Sequence, residues 1–98
     1  MVEVRWTPQA ADDLESIAEY IARDSPHYAS LFASDLLTKV EELSIFPARG
    51  RVVPETRKDD IREVFFGNYR IIYRVKETAV EVLTIYHGSR ILDPNRLN

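Results

Sequence analysis

The chain has 98 residues, no cysteine, 45% hydrophobic and 30% charged residues, and a net charge of −3. That composition fits one globular domain over residues 1–98 with a single core, and it excludes disulfides, thiolate metal sites and extensive disorder. No apolar run approaches the roughly 20 residues of a membrane helix, and no small-residue cleavage site follows the start, so no membrane is expected and the expected location is the cytoplasm.

Residues 2–6 alternate, with Val2, Val4 and Trp6 on one side and Glu3 and Arg5 on the other, which predicts a short half-buried strand. Thr7-Pro8 then starts a helix, because Thr caps well and Pro suits the first helical position. Ala11, Leu14, Ile17, Ala18 and Ile21 form its apolar stripe, and Asp12 and Asp13 sit in its early turns near the positive end of the dipole. Ser25-Pro26 repeats the start signal. The second helix carries Ala29, Phe32, Ala33, Leu36, Val40 and Leu43 at helical spacing and is expected to run to Phe46-Pro47. Two amphipathic helices with a short joint predict an antiparallel hairpin over residues 8–46 that needs a further layer.

Residues 47–60 read as one long irregular loop carrying four basic side chains, and long loops in small domains are often functional. From Ile61 the pattern turns to strands: 61–66, a Gly67-Asn68 hairpin turn, 69–76, a second turn at 77–79, and 80–86, followed by a tail over 91–98. The order β-α-α-β-β-β predicts an α+β fold. A helical hairpin should cover one face of a small, mainly antiparallel sheet, leaving the other face open.

Charge is uneven. Residues 1–47 hold three basic against nine acidic side chains, a net of −6, whereas residues 48–98 hold ten against seven, a net of +3. Polyanions respond to the local field, so the second half is where a phosphate-binding face would lie. Arg70 and Arg74 share one face of their strand, Arg62 lies on the neighbouring strand, His87 and Arg90 end the last strand, and Glu55 sits in the loop feeding the sheet. Converging guanidinium groups suit phosphate, and phosphodiester cleavage needs a base, cations and an acid. Glu55 or His87 fits the base, the arginines the charge stabilisers, and His87 the acid. The same alternation is also what a solvated strand face gives, with the arginines paired to Glu63 or Glu81. An exposed strand arginine would contribute little to folding, no more than about 0.5 kcal/mol. Only two histidines exist, sixty residues apart, so no metal site is expected, and no cofactor motif is present.

The chain resembles the RelE/ParE toxins of type II toxin–antitoxin modules over residues 2–92. The residues that carry the resemblance are Val4-Arg5-Trp6-Thr7; Ala11-Asp12-Asp13-Leu14 with Ile17 and Tyr20-Ile21-Ala22; Leu43 to Phe46-Pro47; Gly50-Arg51 and Pro54-Glu55; Ile61-Arg62-Glu63; the strand Asn68-Tyr69-Arg70-Ile71-Ile72-Tyr73-Arg74-Val75; and the ending His87-Gly88-Ser89-Arg90. The resemblance implies a compact toxin neutralised by a cognate antitoxin protein. RelE-like members are endoribonucleases that cut mRNA on the ribosome without a metal, and the cationic set Glu55, Arg62, Arg70, Arg74, His87 and Arg90 makes that the expected activity; the alternatives are a ParE-like poison of DNA gyrase and an inert relative that only binds its antitoxin. By position, Arg70 matches the strand arginine used on the scissile phosphate, Glu55 the loop acid used as base, His87 the late histidine, and Arg90 a second basic catalytic position. Arg51, Arg62 and Arg74 would then bind substrate. The chain departs from many nucleases in having no aromatic residue after Tyr86, and its lysines are scarce.

Overall fold

The computed structural model describes residues 2–97. Strand β1 (Glu3–Trp6) leads into helix α1 (Pro8–Ala22) and helix α2 (Pro26–Glu42). A two-residue strand β2 (Arg51–Val52) follows, then the meander β3 (Ile61–Phe66), β4 (Tyr69–Val75) and β5 (Ala79–His87). The five strands form one sheet in the order β1-β5-β4-β3-β2, in which β1 runs parallel to β5 and every other pair is antiparallel. This is the predicted α+β architecture. Two boundaries differ. Helix α2 ends at Glu42 rather than Phe46, because Leu43, Ser44, Ile45 and Phe46 close the last turn through bonds to Val40, Glu41 and Glu42. The loop over 47–60 also contains β2, too short to show any alternation.

Both helix starts follow the predicted capping. Thr7 Oγ1 accepts from Ala10 N at 3.1 Å, Ser25 Oγ accepts from Tyr28 N at 3.1 Å, and a proline follows each cap. Thr7 has a second role: its hydroxyl lies 2.9 and 3.0 Å from the Val82 and Leu83 carbonyls, and its N–H donates to Val82. The chain thus leaves β1 and enters α1 while still bonded to β5. The main core lies between hairpin and sheet. Ala10, Leu36, Val40 and Leu43 meet Val64, Ile71, Tyr73, Val80, Val82 and Ile85, with Phe32 edge-on to Phe66 and Tyr69.

The opposite sheet face is not open, contrary to the sequence expectation. Ile61, Ile72 and Leu83 point to it, and the chain buries them itself: Val53 of the loop and Leu92 and Leu97 of the tail complete a second apolar cluster, with a short 3-10 turn at Pro94–Leu97. Period-2 alternation marks Ile72 as facing that side but cannot say what covers it. Strand register makes a second correction. Arg62 is paired with Tyr73, not with a residue of the Arg70 face, so it stands on the hairpin side with Val64 and Phe66. Its Nη1 donates to Gly50 O at 2.9 Å, while Gly50 N donates to the buried Tyr73 hydroxyl at 2.8 Å. A Cβ on Gly50 would lie 2.4 Å from the Glu63 carbonyl, so this crossing requires glycine.

Candidate functional site

The residues singled out by sequence divide into two groups. The first is a line of alternating charges under the loop and tail. Arg70, on the central strand β4, is buried, with 7% of its side chain exposed. Its Nη1 and Nη2 donate to the two oxygens of Glu55 at 3.0 and 3.2 Å, a two-pronged match of guanidinium and carboxylate. Its Nε lies 3.0 Å from Oε1 of Glu63, whose side chain is wholly buried on β3. Glu63 Oε2 accepts from Nε of Arg51 at 2.5 Å. Glu55 also accepts from Leu92 N at 3.1 Å, so one carboxylate ties strand, loop and tail together. The Arg70 hydrogen bonds hold the Glu55 carboxyl below the ordinary carboxylate range, helped by the Leu92 N–H and opposed by partial burial. The expectation of an exposed Arg70 is therefore corrected: it is a buried cation between two carboxylates.

The other basic residues of that group also have intramolecular partners. Arg51 lies over the Phe65 ring at 5.3 Å in addition to its bond to Glu63. Arg74 faces Asp60 at 3.6 Å. Of the two pairings considered from sequence, Glu63 is realised for Arg70, whereas Glu81 pairs with Lys76 at 3.7 Å.

The second group surrounds a cleft of about 520 Å³ between α1 and the end of β5. His87 and Arg90 line it together with Tyr20, Tyr69, Tyr86 and Arg96. His87 pairs with Tyr69, which faces the hairpin, so it points away from the Arg70 side of the sheet. Its ring stands edge-on to Tyr69 at 5.5 Å. The Ser89 N–H donates to Nδ1 at 3.2 Å, which leaves the ring proton on Nε2 as the consistent tautomer, and Ser89 Oγ lies 2.6 Å from the same nitrogen. Arg90 is exposed and has no ion-pair partner among the described residues. The four proposed catalytic residues thus form two sets, Glu55 with Arg70 and His87 with Arg90, on different sides of the sheet.

Asp13 is the residue that sequence reasoning placed least well. It is buried at the back of this cleft and accepts four hydrogen bonds: from Gln9 Nε2 at 2.8 Å, Ile85 N at 3.1 Å, the Thr84 hydroxyl, and Arg96 Nη2 at 2.5 Å. Arg96 also lies over the Tyr86 ring at 5.2 Å. The signal was present in the spacing, because Asp13 is three residues from Ala10 and next to Leu14, on the stripe that faces the sheet. Its dipole-favoured position near the helix start hid that reading.

Two helices packed on one face of a five-stranded mixed sheet match solved structures of toxin–antitoxin systems. The ParDE toxin–antitoxin system of Pseudomonas aeruginosa contains a chain that superposes with a TM-score of 0.74 at 24% identity, covering 89% of this chain and 96% of that one. In the RelBE2 toxin–antitoxin complex of Mycobacterium tuberculosis the values are 0.64 and 24%, with 88% and 96% covered. The family model of the ParE toxin of the type II toxin–antitoxin system parDE matches residues 4–92. Toxin RelE2 of Caulobacter vibrioides is 36% identical over 92 residues, covering 93% of this chain and all of the relative. Putative toxin Y4kP of Sinorhizobium fredii is 35% identical, with 87% and 86% covered. The chain belongs to the ParE toxin family, within the RelE/ParE superfamily of type II toxins.

Proposed function

We propose that this toxin arrests growth by binding rather than by cutting, as a ParE-like poison of DNA gyrase, and that a cognate antitoxin holds it inactive. The observation that carries the reading is the closed Arg70–Glu55 pair. A cation that stabilises a phosphorane must be free to meet it, and here both terminal nitrogens of Arg70 are bonded to Glu55 while its Nε faces Glu63. A carboxyl held below its ordinary range is also a weak base, since proton abstraction favours a group whose pKa lies nearer the working pH. The antitoxin has apolar surface to cover on the helical side, where Leu31, Leu37, Ile45 and Phe46 are exposed.

A second reading, mRNA cleavage on the ribosome, is favoured by one feature. His87 and Arg90 share a cleft with three tyrosines, an arrangement that can stack a base and move a proton. In that reading Arg51, Arg62 and Arg74 would hold the RNA, with Arg70 and Glu55 freed by rearrangement. Purified toxin separates the two. On the gyrase reading it inhibits supercoiling by purified gyrase and leaves a reporter mRNA intact in a translating extract. Cuts in the reporter with unaffected supercoiling would sink the proposal, and the loss of those cuts in His87→Gln or Arg90→Ala would establish the second reading.

A further inference from the structure

The second face of the sheet is covered by two stretches of chain that are far apart in sequence. Ile61, Ile72 and Leu83 belong to the strands, whereas Val53 comes from the loop and Leu92 and Leu97 from the tail. Among the described residues, none of 53–60 or 91–97 belongs to the main core. The cover therefore rests on a few apolar side chains, against the many that join hairpin to sheet. Segments with few buried apolar contacts open at a lower free energy than the core.

Polar ties make the two stretches one body. Oε2 of Glu55, in the loop, accepts from Leu92 N of the tail at 3.1 Å and from Arg70 Nη1 at 3.0 Å. A tail that left alone would take a donor from that carboxylate. A loop that lifted alone would strand the Leu92 N–H, which is costly for a partly buried group. The rest of the tail is fastened separately: Arg96 Nη2 donates to Asp13 of α1 at 2.5 Å, and the Tyr86 hydroxyl donates to Ile91 O at 3.1 Å.

Glu55 also stands where a ligand would. Its two oxygens lie 3.0 and 3.2 Å from the terminal nitrogens of Arg70, the pattern in which a guanidinium receives a bidentate oxyanion. With Glu55 lifted away, Arg70 keeps Glu63 at its Nε, and its fork is free. We propose that residues 53–60 and 91–97 form one autoinhibitory strap. The two stretches open from the sheet together, and when shut they place Glu55 in the oxyanion seat of Arg70. The gyrase reading describes the shut form. The strap governs how that form opens, whatever target the toxin poisons, so the two readings fail separately.

The test uses the full-length toxin and two readouts: amide hydrogen exchange, and modification of arginine by phenylglyoxal located by peptide mapping. The Leu92 and Val53 amides are expected to share one protection factor, at least about tenfold below that of the β4 amides, with a smaller dependence on urea. Arg96→Ala unfastens the tail from Asp13 and should speed exchange at both positions by the same factor, about tenfold. Leu97→Ala trims the apolar cover, keeps every polar tie named above, and should also move both positions together; it serves if Arg96→Ala does not fold. Phenylglyoxal should reach Arg70 faster in either variant, by the factor seen at Leu92. Separate responses of Leu92 and Val53 would overturn the strap. So would exchange at both positions as slow as that of β4, with the same urea dependence. Unchanged modification of Arg70 while Leu92 exchange rises would overturn its closing role. Neither readout involves antitoxin, gyrase or RNA.

Discussion

Arg70 shows how far burial changes the meaning of a residue. Read as one member of an alternating strand, it is dispensable for folding. Among the described residues it is the only cation in contact with both Glu55 and Glu63, and Glu63 is fully buried. Truncating one partner of a buried ion pair strands the other charge, at a cost of about 3–5 kcal/mol. Arg70→Ala should therefore lower the midpoint of urea unfolding sharply; a shift no larger than that of an exposed control such as Arg57→Ala would show that the network carries little stability. Any loss of toxicity in Arg70→Ala must accordingly be read beside its stability. Glu55 adds a pH dependence. Its folded carboxyl titrates below the unfolded value of 4.5, so its contribution is complete above about pH 4.5 and disappears as the pH falls through the lower folded value. Glu55→Gln should be less stable at neutral pH and should fall off less steeply below pH 4.5 in urea melts across pH 2–7. An acid limb as steep as that of the parent would contradict this assignment.

At the level of elements, the helices and the meander could be read from the sequence because each is specified locally. Ser25-Pro26, Thr7-Pro8, Gly67-Asn68 and the Tyr69–Val75 alternation depend on neighbours a few residues away. What was not legible depends on distant partners. The pairing of β1 beside β5, the two-residue β2, and the cover that Val53, Leu92 and Leu97 give the second face are all long-range. Asp13 joins these parts, linking α1 to the β5 edge and to Arg96 of the tail. Asp13→Ala would orphan the Ile85 N–H and the Thr84 hydroxyl, each costing about 1–3 kcal/mol when buried and unpaired. Global stability should drop by at least about 2 kcal/mol, and the chain should become sensitive to proteolysis after Tyr86 before it unfolds. Equal protease resistance of the tail in parent and variant would show that Arg96 is not held through Asp13.

For the whole molecule, the sheet is a shared wall between two small apolar clusters, one under the hairpin and one under the loop and tail. The surface expected to be an open cationic face is thereby converted into an internally neutralised one. Basic residues of the second half are not missing from the fold; Arg51, Arg62, Arg70, Arg74 and Arg96 each meet a carboxylate or a carbonyl of the same chain. The net +3 of residues 48–98 overstates what a polyanion would meet, since two of those cations are paired with acids of the first half, Arg49 with Glu42 and Arg96 with Asp13. Such a surface suits recognition of a protein better than the tracking of an RNA backbone. The most direct measurement of that claim is the mapping of RNA 5′ ends in cells within minutes of inducing the toxin without its antitoxin. The account predicts growth arrest with the same 5′ ends as uninduced cells. New ends clustered inside translated reading frames, appearing as growth stops, would contradict it.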